Sequence, residues 1–270
     1  DMKIHNLTKK PAPDHFESPP QLYIIFKKIV ESTDPAVYHP LDIALLNLCK
    51  LHCNIENGVD TGNYYKNKFN EHYEIWQNSG DWQNMCICSI YAYLYYNYCR
   101  DNDLINRISK SIKDSHILEA MINLGRYPRL VGFSLGLISN AFSDYDLQKL
   151  LSPNANTEKK VFVLYYYFGK KISNADMQIN KEIQELAENV IIENTLDFNI
   201  RMPALVFYRN PNKYFDKVVS EFVSPVFYEL AFGTANYTGD KFNFISDLYV
   251  ENIVKYLLIS KILGWDIIYK

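Results

Sequence analysis

The sequence predicts an all-α protein, and three observations carry that expectation. From Leu22 onward, apolar residues recur every three or four positions over most of the chain, the spacing that lines one face of a helix. Residues that start or stop helices punctuate those runs, with proline or aspartate ahead of them and glycine behind. No βα alternation and no series of evenly spaced strands interrupts them. Two arrangements fit: an irregular stack of helical hairpins, α-solenoid-like, or a multi-helix bundle. Helix pairs at intervals of roughly forty residues suit the stack, yet no tetratricopeptide, ankyrin or leucine-rich signature is present.

Residues 1–20, with Pro11, Pro13, Pro19 and Pro20, read as an extended arm. Residues 21–270 read as a single helical domain with a candidate sub-division near 152–156. Leu22, Ile25, Phe26 and Val30 mark a first helix behind the breaker pair Pro19-Pro20, and Ile43, Leu46, Leu48 and Leu51 mark a second over about 40–55. Residues 61–78 place Tyr65, Phe69, Tyr73 and Trp76 on one face, and Ser79-Gly80 ends that helix. Asp81 then caps the next one.

That next helix holds the stretch NMCICSIYAYLYYNYC at 84–99, with fifteen uncharged residues from Met85 to Cys99. A membrane span needs about 20 such residues, so the stretch reads as a buried helix of a folded domain. Further helices are expected at 103–111, 114–124, 128–142, 144–151, 157–170, 176–195, 212–231 and 243–263. Asp114 is a candidate cap and Gly125 a candidate helix end. Ser143-Asp-Tyr-Asp approximates a capping box, and Pro225 should kink the helix around it. The run VFVLYYYF at 161–168 is apolar on every side, so periodicity cannot separate helix from strand there. Thr157, Glu158 and the two lysines after them favour a helix start. The final six residues, 265–270, allow a short strand or a docked tail.

Composition narrows the function classes. Apolar content of 48% and charged content of 22% are ordinary for a folded domain, whereas 15% aromatic content, from 22 Tyr and 15 Phe, is high. Many of those rings must be buried or must line a groove. A net charge of −3 argues against a general polyanion binder, which leaves nucleic acid a weak candidate. The five cysteines, at 49, 53, 86, 88 and 99, read as reduced thiols. With no apolar h-region at the N-terminus, the expectation is a cytoplasmic protein that does not enter a membrane.

Each catalytic constellation fails on inspection. Gly132-Phe-Ser-Leu-Gly136 matches the G-x-S-x-G turn of α/β-hydrolases, where the order is serine, acid, histidine. All six histidines precede Ser134, and Pro128 leaves no room for the preceding strand, so close helix packing explains the small residues better. Cys49, His52 and Cys53 share a helical face and would be soft zinc ligands, but their spacing matches no zinc module. They are read as core residues. Cys86 and Cys88, at i and i+2, point apart on a helix and make no redox pair. Lys159, Lys160, Tyr165, Tyr166, Tyr167, Lys170 and Lys171 mix rings with charge in the manner of a single-strand binder, yet consecutive rings on a helix diverge. Acidic pairs at Asp101/Asp103 and Asp144/Asp146 suit helix caps. No Walker loop, dinucleotide fingerprint or H-E-x-x-H occurs, so no cofactor and no metal is expected.

Arginine supplies the sharper signal. Four of the six arginines sit in two short segments, Arg126 and Arg129 around Pro128, and Arg201 and Arg209 around Pro203. Proline beside arginine suits a helix start, where free N–H groups favour an anion. The leading expectation is an intracellular helical protein that works by binding another protein, as an inhibitor, an immunity-type protein or an adaptor, without catalysis. Its contact residues would be drawn from Arg126, Arg129, Arg201, Arg209, Tyr65, Tyr73 and Trp76, since Tyr, Trp and Arg dominate interface energetics. The alternative is a helical enzyme or carrier whose aromatic pocket, from 91–98 and 165–168, holds an anionic amphipathic small molecule by its arginines.

Overall fold

The chain is all-α. The structure, a computed structural model, describes residues 19–34, 38–56, 61–114, 128–139, 157–192, 198–211, 236–238, 241–244 and 247–266. Among them are ten α-helices and one small antiparallel hairpin. The backbone gathers into two compact units, Asp1–Ile55 with Ala187–Lys270, and Glu56–Leu186. The helix expected at 114–124, apart from Asp114 itself, and those expected at 144–151 and 212–231 lie outside the described residues, as do residues 1–18 of the expected arm, Gly125, Arg126, Pro225, the capping box at 143–146 and the sub-division near 152–156.

The unit Glu56–Leu186 is built on α3 (Thr61–Ser79), α4 (Trp82–Cys99), α5 (Asp103–Asp114), α6 (Pro128–Leu137) and α7 (Thr157–Ser173). α3 stops where Gly80 adopts φ +68°, a conformation without penalty for glycine. Asp81 then caps α4 by accepting from the Gln83 backbone N–H at 3.3 Å, a contact worth about 1 kcal/mol. So short a connection makes α3 and α4 antiparallel neighbours. Every residue from Met85 to Leu94 is buried, because α3, α5 and α6 pack around α4 from separate sides. No described helix is long and apolar enough to cross a membrane. The uncharged stretch is therefore the hub of this unit, and Cys86 and Cys88 are both buried by different neighbours.

α6 and α7 make the closest helix contact in the unit. A Cβ on Gly132 would lie 2.5 Å from the Phe162 carbonyl oxygen; one on Gly136 would strike the Tyr166 carbonyl, and one on Gly169 the Phe133 carbonyl. Partners rise in number together along both helices, so α6 and α7 run parallel, backbone against backbone. The segment 161–168 is helical throughout and buried, which resolves its ambiguity: β-favouring residues are tolerated in a helix whose packing outweighs propensity.

The other unit contains α1 (Pro19–Ser32), α2 (Pro40–His52), the end of α8 (Lys181–Ile192), α9 (Phe198–Ala204) with a 3₁₀ turn at Leu205–Phe207, strands β1 (Asn236–Thr238) and β2 (Lys241–Phe244), and α10 (Asp247–Leu263). α10 packs on both α1 and α2, where the Phe26 and Tyr256 rings meet edge-on at 5.1 Å. Asn180 caps α8 by accepting from Ile183 N–H at 3.0 Å.

Several expected boundaries shift, each for a local reason. Pro19 and Pro20 form the first turn of α1 instead of closing an arm, because N–H groups in the first turn have no intrahelical hydrogen bond to lose. α5 runs through Asp114, three residues beyond the expected end at 111, and the helix that Asp114 was expected to cap lies outside the described residues. α8 begins at Lys181, not 176, since Asn180 supplies the cap. α9 was expected only as a helix start beside Pro203, and it begins earlier, at Phe198. Pro203 lies inside it, and the 3₁₀ turn begins two residues later at Leu205. Residues 243–244 belong to β2, which pairs with β1 through Tyr237↔Phe242 and Thr238↔Lys241, and α10 starts only at Asp247.

Candidate functional site

The face shared by α3 and α5 carries the most organised exposed side chains among the described residues. On α5 the apolar residues Leu104, Ile105, Ile108 and Ile112 point inward, all buried. The opposite side exposes Asn106, Arg107, Lys110 and Lys113. On α3, Tyr73 sits at the margin between core and solvent. Its hydroxyl hydrogen-bonds the Ser111 hydroxyl at 2.5 Å, and its ring stacks on Phe69 with centroids 5.4 Å apart.

Arg107 lies across this ring. Its guanidinium carbon is 4.0 Å from the Tyr73 centroid and 5.7 Å from that of Phe69. Nη1 donates to Asn70 Oδ1 at 3.0 Å. Ring and amide together hold a planar cation in one orientation while the residue stays exposed, and such stacking contributes about 0.5–1 kcal/mol at an exposed site. The remaining N–H edge of the fork suits a carboxylate.

The residues singled out from the sequence scatter. Tyr65 and Trp76 are each 3% exposed: the ring-rich face of α3 is spent on the interior, and Tyr73 alone of the three reaches the surface. This corrects the expectation of an exposed aromatic face, and the reason is the apolar α4 beside it, which needs that face for cover. Tyr65 packs on Tyr91 at 6.0 Å. Arg129 follows Pro128 at the start of α6, as expected, and is half-buried. Arg201 does not begin a helix; it occupies the last turn of α9 and is buried. Arg209 reaches Glu188 across 3.5 Å at the surface. Arg201 and Arg209 belong to one unit and Arg129 to the other.

The other motifs resolve into packing. Ser134 is fully buried inside α6 beside the Cys86 thiol, and positive φ among the described non-glycine residues occurs only at Asn54 and Arg100. The strained turn that a nucleophilic serine needs is absent there. Burial pushes the Cys86 thiol up to about 12 and the Cys88 thiol up as well. His72 donates from Nδ1 to Asn84 Oδ1 at 2.7 Å and stacks on Tyr91. Among the described residues no three His, Cys, Asp or Glu side chains gather as a metal site. Tyr165, Tyr166 and Tyr167 are all buried, so α7 offers no stacking platform for bases. Rings of 165–168 expected to line a pocket pack on one another: Tyr165 on Phe168 and Tyr166 on Tyr167, at 6.4 and 5.5 Å.

Arg107 was missed in the sequence. Its place on the polar side of an amphipathic α5 is legible, but its pairing with Tyr73, 34 positions earlier, depends on how α3 and α5 meet. No protein-family model, no curated protein and no solved structure matches this chain.

Proposed function

We propose that this chain acts by binding another protein, with no catalysis of its own, and that an acidic segment of the partner docks on the α3–α5 face. One observation carries the reading: Arg107 is exposed, yet its guanidinium is held over the Tyr73 ring and tied to Asn70. A cation fixed before binding loses less entropy on engagement than a mobile one. Lys110 and Lys113, three and six residues on, extend the same positive edge, which steers an acidic partner. The buried serine and thiols of the failed catalytic motifs support a non-catalytic role. An inhibitor, an immunity-type protein or an adaptor in a reducing cytoplasm suits this architecture, by analogy of form.

A second reading, a carrier or enzyme for an anionic amphipathic small molecule, keeps one supporting observation: Arg201 is a guanidinium only 4% exposed in the other unit. Recovery of the full chain from its native cell, followed by mass spectrometry, separates the two. The first reading expects a stoichiometric protein. Its affinity, measured after reconstitution from purified components, should fall at least about tenfold with Arg107→Glu/Lys110→Glu, the loss expected when a central Arg contact is reversed. A stoichiometric lipid or phosphorylated metabolite would overturn the protein-binding class. A protein whose affinity ignores the charge reversal would overturn the proposed face.

A further inference from the structure

The end of α2 gathers polar and titratable groups in an otherwise apolar interior. Cys49 and Cys53, one helical turn apart, bring their sulfurs to 3.9 Å, and both residues are buried. Tyr23 of α1 donates its hydroxyl to the Cys53 sulfur, and Lys261 of α10 and Lys27 of α1 add positive charge around it. Lys261 is itself anchored to Asp266. His52 is the neighbouring residue in the same turn.

We propose that Cys49 and Cys53 form an oxidation-responsive dithiol, which a hydroperoxide converts into a disulfide within the last turn of α2. Cys53 is the attacking thiol. Hydrogen bonds from Cys49 and Tyr23, with the two lysines, favour its ionised form, whereas the Cys49 thiol is pushed up by donating that bond and by burial. The thiolate is the reactive form of cysteine. In the first step the Cys53 thiolate displaces hydroxide from hydrogen peroxide, an S–O bond forming as the O–O bond breaks. One proton makes the hydroxide water, and Cys53 becomes a sulfenic acid. In the second step the Cys49 sulfur attacks the Cys53 sulfur. The S–O bond breaks, the Cys49 proton leaves with the hydroxyl as water, and the S–S bond remains. Peroxide is reduced by two electrons and the thiol pair oxidised by two.

The backbone accommodates the product. Residues four apart in a helix have Cα atoms about 6 Å apart, within the range a disulfide spans. Cys53 is not inside the helix but caps it, at φ −93° and ψ 6°, and Asn54 turns away with φ +54°. The last turn can tighten without breaking a continuing helix, and it is where helices fray, giving a small oxidant access through local opening. Cys86 and Cys88 lie inside the first half of α4 with no such release, and burial raises both thiols, the Arg107 charge offsetting this only in part at Cys88.

The test treats the folded full chain, carrying Cys99→Ser to remove the exposed thiol, with hydrogen peroxide. Remaining thiols are then alkylated under denaturing conditions and the peptides mapped by mass spectrometry. The expected result is a Cys49–Cys53 link that lacks two hydrogens, is reversed by dithiothreitol, and forms while Cys86 and Cys88 stay alkylatable. With Cys49→Ser, Cys53 should accumulate as a sulfenic acid trapped by dimedone. With Cys53→Ser, oxidation at Cys49 should slow at least about tenfold. Recovery of both Cys49 and Cys53 as alkylated thiols after peroxide, at the level of Cys86, would overturn the proposal. So would oxidation that proceeds first at Cys49. The pairing of 49 with 53 is read directly in a chain that keeps both thiols, so the result does not hinge on whether either serine variant folds.

Discussion

The α6–α7 seam and the end of α2 are both buried, and they are built in opposite ways. At the seam, glycines bring two backbones together so closely that a single added carbon meets a carbonyl oxygen. At the end of α2, longer side chains keep the helices apart and fill the space with a thiol pair, a tyrosine, a histidine and a lysine–aspartate pair. The first region is limited by volume, because backbone cannot rotate out of the way. The second is limited by charge, because each buried polar group must keep its partner. One should fail on a methyl group and shrug off pH; the other should do the reverse.

The largest effect should come from Gly136→Ala. Alanine gains about 1 kcal/mol of helix propensity over glycine, so any destabilisation measures the clash with the Tyr166 carbonyl. Urea unfolding should show a net loss of about 3 kcal/mol, at the upper end of overpacking costs, with Gly169→Ala behaving alike. A neutral or stabilising result would mean that the two helices are not in backbone contact.

A middle-sized effect should appear at the end of α2 as a pH dependence. Burial, together with the Lys261 charge, holds His52 at about 4, below its ordinary 6.5. The unfolded chain therefore takes up this proton first as pH falls, and stability drains away from pH 6.5 down to 4. The loss attributable to His52 should be about 2 kcal/mol after allowance for partial exposure. His52→Gln should flatten that part of the profile, while Gly136→Ala should shift the profile without changing its slope. Equal slopes for wild type and His52→Gln would remove the charge limit assigned to this region.

The smallest effect sharpens the first. Gly80 also sits at a helix boundary, but nothing lies within 4 Å of a Cβ built there. Gly80→Ala should cost only the left-handed backbone penalty, about 1 kcal/mol. If its cost in urea matched that of Gly136→Ala, conformational freedom and not close approach would explain the glycines of the seam.

Much of this was legible in the sequence. Helical spacing marked α1 to α7, Asp81 and Gly80 marked the α3–α4 boundary, and the absence of a histidine after Ser134 ruled out the hydrolase reading before any packing was known. The small residues of that motif were read correctly as a place for close approach, although the partner, Gly169, was not identified. Less legible were α9 and the hairpin. Pro203 was read as suiting a helix start and instead lies next to the end of a short one, and Gly239-Asp240 between Tyr237 and Phe242 was a hairpin signal that helical periodicity on either side obscured. Of the candidate contact residues, Tyr73 kept a place at the surface. Tyr65 and Trp76 did not, because which side of an aromatic helix is covered depends on its neighbour.

By itself the sequence determined that this chain is helical and where some of its helices are capped and interrupted, as at Asp81 and Gly80, because those choices are made within a few positions along the backbone. Only the tertiary structure decided that Arg107 lies on Tyr73, that Gly136 faces Tyr166, and that Tyr23 reaches Cys53. Such pairings join residues tens of positions apart, and they are fixed by how helices dock, which no local pattern records.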